Sequence, residues 1–400
     1  MNIPSIYLDG YARACAVNRD IATRYVENTM VDDPLADGAF MALLHLDGKK
    51  INQIMNTCTN LDAKLHPETP QALIDFIEAY KTPPPWLDGD ALLPGRIAFH
   101  RYLDLFIIGF IIASLRNFNS LMSKVFFLTG QATTEQGLMV IRQNIRYLCE
   151  TLMLPSALNP GQQGWKFSLR IRLVHARIRN RLRNSNHWDE AALGVPISAA
   201  NMGLTSANFS ALLIRDVERL GARLNADERL SIMRIWRYAS WLIGTPETLL
   251  CDGDESATAE LSKIGHLCEP KPDRITAIIT NATVQALPQL TKLTDPKEKQ
   301  AMASHAYGVA RSLLGEALAD QYGFPKHRGF EGLPRLRLRY LIQKACRKLL
   351  PRSKEWFRKD PFELLLDAAM IDDLLDRGSK ELKAGSAGIG RVERMRGSQE

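Results

Sequence analysis

The sequence predicts an all-α protein. Apolar residues recur at spacings of three and four along most of the chain, the period of a helix with one buried face. Strand signals are scarce, with few alternating β-branched runs and no Asn-Gly hairpin turn. Prolines and good helix starts divide the chain into helix-sized lengths. At 400 residues and 46% hydrophobic composition, the chain can bury a substantial core in one large domain or two.

Residues 1–90 read as short helices broken by turns. Val31–Asp37 (VDDPLAD) has an Asp-Pro turn and a good helix start, and Thr82–Asp90 (TPPPWLDGD) is a stiff connector because three prolines cannot lie within a helix. Helices are expected over 91–116, 119–130 and 133–153. Pro155–Gly164 is a loop, and a long helix runs from Trp165 to Arg183. Further helices follow over 199–222 and 226–244. Segment 251–274 reads as polar and loop-rich, and helices resume to about 321. Leu103–Leu115 is the longest apolar run, but a spanning helix needs roughly 20 such residues. It is expected to be a buried helix, and its residues suit a packed core better than a substrate tunnel.

The formal charge is +7 and the pI about 9.0, which favours acidic partners without choosing between nucleic acid and anionic lipid. None of the six cysteines forms a Cys-x-x-Cys pair, so reduced and mostly buried thiols are expected. His266-x-Cys268 is half of a metal-site spacing without a second half. The N-terminus has no basic region followed by an apolar one, so a cytoplasmic protein is expected. Arg335–Lys359 holds ten Lys/Arg and one Glu with an apolar side. That mixture suits a helix packed on the body or contact with a membrane surface, and nucleic acid less well.

The chemistry concentrates in residues 165–183 (WKFSLRIRLVHARIRNRLR). Ile171, Val174, Ile178 and Leu182 form an apolar stripe. Arg172, His175 and Arg179, at spacings of three and four, share a face. Buried guanidinium groups require anions. Three readings of the residues stand: a core histidine with solvated arginines, a helix that binds phosphate backbones, and a haem-binding helix. In the last, neutral imidazole ligates iron, arginines meet propionates and the stripe packs on porphyrin. The arginines surround the helix and share it with apolar residues, which weakens the nucleic-acid reading.

Arg172–Arg179 (RLVHARIR) resembles the R-L-x-H-A-x-x-R motif of latex-clearing, rubber-oxygenase-like proteins, a domain type shared by a fungal oxygenase of mycophenolic acid synthesis. The surrounding order is similar too. Asp33–Asp37 matches an early signature and Arg142 lies in a preceding helix. Gly194–Ser198, Asn201–Thr205 and Trp236–Pro246 follow. The resemblance covers about 30–250. It implies a globin-like helical core around haem b, with His175 as the iron ligand. It also implies dioxygen as co-substrate and oxidative cleavage of a C=C bond in an apolar isoprenoid or lipid substrate. Arg172, Arg179 and Thr205 match motif residues that contact the haem or its surroundings, and Arg142 matches a distal arginine.

One departure bears on activity. Rubber-cleaving members carry a Glu one helix before the distal arginine, whereas no Asp or Glu occurs between Leu105 and Thr134 here. The Lys-Thr pair that follows the distal arginine in those members falls near Ile145-Arg146. His100 and His305 are the candidates for a second axial position. The organisation expected is an N-terminal helical extension (1–90), a haem-binding helical domain (91–330), basic C-terminal helices (331–380) and a disordered tail (381–400). The function expected is a haem-dependent oxygenase, weighed against a non-catalytic haem- or lipid-binding protein at membrane surfaces.

Overall fold

The computed structural model describes residues 3–326 except 131–133, 155, 251–252 and 292, with Leu333 and Arg337 beyond them. The basic segment 335–359, apart from Arg337, and the expected C-terminal divisions beyond it lie outside the described residues.

The described residues form helices and connecting loops, with no strand among them. The first group is α1 (Leu8–Cys15), α2 (Arg19–Glu27), α3 (Pro34–Leu43), α4 (Gly48–Cys58) and α5 (Gln71–Glu78). The central group is α6 (Leu93–Arg101), α7 (Leu103–Arg116), α8 (Ser120–Leu128), α9 (Thr134–Leu152) and α10 (Gln163–Arg183). A short α11 (Glu190–Leu193) leads to α12 (Ala199–Ala207), α13 (Leu213–Leu220) and α14 (Ala226–Leu242). The last are α15 (Glu255–Cys268), α16 (Arg274–Ala286), α17 (Pro296–Leu314) and α18 (Glu316–Gln321).

Local chemistry starts several of these helices. Asp33 caps α3 by accepting from the Ala36 amide at 3.1 Å, and Pro34 stands at the first helical position, where its missing N–H costs nothing. Ser198 with Asn201, and Asn225 with Glu228, form reciprocal capping boxes for α12 and α14.

Three expectations need correction. The helix expected over 91–116 breaks at Tyr102, whose backbone leaves the helical region, and α6 and α7 meet at 98°. The helix expected over 199–222 contains a π-turn at Asn208–Leu212. That turn swings Phe209 into a stack with Phe110 (4.4 Å between ring centres) and towards Trp236 (5.5 Å). The segment 251–274 contains α15, not mainly loop. Its Thr258 and Ser262 are buried, but their hydroxyls donate to Asp254 O and Asn208 Oδ1, each at 2.7 Å, so polar residues sit inside at little cost.

α7 is the central element, as its apolar run requires, and it is buried on nearly every side. It packs on α9, α13 and α17. Gly109 permits the approach of α13, because a Cβ there would lie 2.9 Å from Leu213 Cδ1. Among the described residues no single helix is long and apolar enough to cross a membrane; α6 and α7 have the composition together, but are sharply bent and enclosed. α10 lies against α3, α9 and α14, and α15 lies against α1, α2 and α12. Cys58, Cys149 and Cys268 are buried and Cys15 is half-buried, all as free thiols.

Candidate functional site

The site grows from the seam between α3 and α10. Arg172 is buried and grips Asp33 with two groups: Nε donates to Oδ2, and Nη2 donates to Oδ1 at 2.8 Å. Its guanidinium also lies over the Tyr80 ring at 4.3 Å. Two turns on, buried Arg179 donates from Nε to Asp37 at 2.8 and 3.0 Å, and its Nη1 donates to Ile197 O at 3.4 Å. Arg183, nearer the surface, meets Asp32 at 2.8 Å and Asp37 at 3.4 Å. Gly244 presses on this ladder with φ +91°; a Cβ there would lie 2.6 Å from Arg172 Nε and 2.7 Å from Asp33 Oδ2.

These pairs answer the anion requirement from inside the chain. Asp33 and Asp37 thus take up most of the donors of Arg172 and Arg179. Burial alone would lower the Arg172 pKa, but Asp33 and Tyr80 outweigh it and raise the value. Of Arg172, Nη1 alone keeps no hydrogen-bond partner.

His175 sits beside this braced face. Protein surrounds the ring closely, yet part of it stays accessible. Burial, then Arg179, push its pKa down to about 4; Asp33 opposes the shift and Arg172 adds to it. The imidazole is therefore neutral at physiological pH, and no hydrogen bond engages it. Next to it, Val174 is 51% exposed, and Ile171 and Ile178 are half-buried. Ile178 joins Leu182, Met122, Val125, Met202 and Ile243 in a cluster that brings α8, α12 and the end of α14 to this side of α10.

A neutral, unpartnered imidazole bordered by apolar surface fits a single axial ligand to haem iron, and the apolar neighbours fit contact with the ring. No group of three or more His, Cys, Asp or Glu among the described residues is arranged to hold a metal ion. The half-motif at His266 and Cys268 is accounted for otherwise: His266 Nε2 lies 3.2 Å from Asn208 Oδ1, and Cys268 is buried. His100 Nε2 is engaged by Met153 O at 2.8 Å.

The other expected residues are less tightly gathered. Arg142 is exposed on α9, and no hydrogen bond or ion pair joins it to His175. Thr205 is half-buried on α12, one turn beyond Met202. Sequence reasoning missed the nearby Glu269, just past α15. Its carboxylate is buried and accepts from Tyr25 Oη at 2.5 Å, Asn201 Nδ2 at 3.1 Å and Asn119 Nδ2 at 2.7 Å. Burial pushes its pKa up to about 7 against those three hydrogen bonds. Asn119 lies within the acid-free stretch 105–134, and Asn201 shares a face of α12 with Thr205. No local motif announced this junction, because its four residues come from four separate elements.

Fold and site together define an all-α protein with a neutral histidine on an ion-pair-braced helix. The chain belongs to the family described as the ER-bound oxygenase mpaB/B'/rubber oxygenase catalytic domain, whose model matches residues 100–343. A rubber oxygenase of Streptomyces sp. (strain K30) is 23% identical over 99 residues, a match that spans 24% of this chain and only 24% of that relative. A solved latex clearing protein, LCP in its closed state, has the same fold, with TM-score 0.64 at 19% identity over 86% of this chain and 91% of that one.

Proposed function

We propose that this protein is a haem b-dependent oxygenase that acts, with dioxygen, on an apolar unsaturated substrate of the isoprenoid or lipid class. The observation that carries this reading is the neutral, unpartnered imidazole of His175 beside exposed apolar surface. When bound, haem would supply the iron chemistry that activates dioxygen, leaving ligation, orientation and substrate placement to the protein. His175 would hold the iron through its neutral imidazole. Arg172 and Arg179 hold α10 against α3 and so fix the face that carries His175, and Nη1 of Arg172, buried without a hydrogen-bond partner, would donate to an anionic group of the cofactor. Thr205 would line the pocket. Arg142, exposed on α9, would orient the reacting groups.

Protein mixed with hemin should show a Soret band. His175→Ala should lose stoichiometric haem while keeping its helical circular dichroism. Wild-type protein that stays colourless with hemin would falsify the reading. Haem-loaded protein given polyisoprene and short unsaturated lipids should yield carbonyl products from the shorter substrates, with poor or no cleavage of polyisoprene. A positioned general base typically contributes 10²–10⁴-fold, on the order of what the missing acid in 105–134 would remove. Arg142→Ala should lower turnover; unchanged turnover would remove it from the site.

The same missing acid favours one second reading, a haem- or lipid-binding protein without turnover, and haem retention with no product from any substrate selects it. A cytoplasmic protein with peripheral membrane contact through 335–359 is also proposed. The basic composition of that segment supports this, and sedimentation with anionic but not neutral vesicles at low salt tests it.

A further inference from the structure

A cleft of about 800 Å³ opens between α13, α15, the α17–α18 corner and the junction of α7 with α8. None of the residues proposed to hold haem lines it. Its walls carry five cations, Arg13, Arg116, Arg215, Lys263 and Lys271, against the carboxylates of Glu260 and Glu269. Both carboxylates are engaged elsewhere: Glu260 accepts from Asn18 at 2.8 Å, and Glu269 holds the three donors described above. Phe118, Leu314 and Leu318 give the cleft an apolar wall.

Arg116 is the decisive residue. Its side chain is only 6% exposed. Nη2 lies 2.8 Å from Asp216 Oδ2 and donates to Leu313 O at 3.2 Å, while Nη1 is buried without a hydrogen-bond partner. Asp216 is shared, since Arg215 Nη2 lies 3.5 Å from its other oxygen. Two guanidinium groups thus face one carboxylate, and the local field is positive. His266, on the same wall, registers that field: burial, then Arg116 and Arg215, push its pKa down to about 3. A cleft whose five lining cations outnumber its two carboxylates, set beside an apolar wall and a buried guanidinium with one nitrogen lacking a hydrogen-bond partner, suits a ligand with an anionic head and an apolar chain.

We propose that this cleft binds a single-chain anionic amphiphile, a carboxylate or a phosphate ester, with its head at Arg116 and Arg215 and its chain along Phe118, Leu314 and Leu318. The site is separate from the His175 face and does not depend on haem.

The test is calorimetric titration of the full-length protein with decanoate, decyl phosphate, decanol and acetate, each below its micelle concentration. At least one of the two chain-bearing anions should bind, and the tighter one identifies the head group. Decanol and acetate should bind about tenfold more weakly or worse, since each lacks half of the recognition. Arg116 is too buried to test cleanly, but Arg215 is 50% exposed, so the double variant Arg215→Gln/Lys263→Gln should fold. It should weaken anion binding about three- to tenfold and leave decanol unchanged. Leu318→Gln should weaken decanoate and decanol alike, whereas His175→Ala should alter neither. In NMR titrations, bound anion should raise the His266 pKa and leave that of His175 in place. The proposal is overturned if neither anion binds, if decanol matches them, if the double variant binds anions as tightly as wild type, or if His175→Ala removes binding.

Discussion

Two clusters draw carboxylates into the protein, and they manage the charge differently. At the α3–α10 seam, Asp33 faces the full positive charge of Arg172, and Arg179 faces Asp37. At the junction of α2, α8, α12 and α15, Glu269 is 3% exposed and faces only neutral donors, Tyr25, Asn119 and Asn201. At the seam the ion pair outweighs desolvation and raises the Arg172 pKa, so the cation is held. At the junction three hydrogen bonds do not outweigh desolvation, and Glu269 takes up its proton near pH 7. Neutral dipoles leave desolvation dominant at Glu269, whereas an opposite charge outweighs it at Arg172; half-buried Asp37, raised by burial against Arg179, lies between the two.

The sharpest way to break this comparison is to remove the charge at the seam. Asp33→Asn leaves the Arg172 cation buried without its anion, and loss of one partner of a buried pair costs about 3–5 kcal/mol. The urea midpoint should fall accordingly, and haem retention should fall with it because α10 loses its brace. Replacing both partners, Asp33→Leu with Arg172→Met, should recover most of the stability. A loss below about 1 kcal/mol for Asp33→Asn would mean that the seam does not depend on opposite charge.

The junction should respond to pH. Glu269 has a folded pKa near 7 against an ordinary value of 4.5, so the folded state holds the proton more tightly. Its stabilisation is complete below about 4.5 and is lost as pH rises through about 7. A shift of this size corresponds to about 3–4 kcal/mol. Thermal unfolding should show wild type losing stability relative to Glu269→Gln between those two pH values. Parallel pH profiles for the two proteins would place the Glu269 carboxylate in water.

The smallest effect is expected where the seam reaches solvent. Arg183 is 31% exposed despite its contacts with Asp32, Asp37 and Glu190. Arg183→Ala should cost only about 0.2–1 kcal/mol, and less at high salt. Denaturation in low and high salt checks this, and a cost equal to that of Asp33→Asn would show that burial is not what separates these pairs.

The parts of the site that could be read from sequence were local. The spacing of Arg172, His175 and Arg179 places three side chains on one helix face wherever that helix packs. Asp33-Pro34 marks a helix start because its cap bond spans three residues. The partners of those arginines were not legible, since Asp33 and Arg172 are 139 positions apart. The signal was present in part, as an acidic helix start and an arginine-rich helix within one chain. Nothing in either segment specifies that they meet. α15 is hard to read from sequence for a related reason. Its polar side chains read as a loop until Asn208, on a π-turn about 50 residues earlier, supplies an acceptor for Ser262 and His266.

By itself, then, the sequence determined the helical class, the apolar core helix at 103–116 and the face on which His175 lies. Each follows from periodicity and bonding over one or two turns, which a helix imposes without help from the rest of the chain. Only the tertiary structure decided which charges are paired, which imidazole stays neutral and accessible, and where a carboxylate is stranded among neutral donors. Those outcomes depend on desolvation and on Coulomb partners distant in sequence, and both are set when the helices pack.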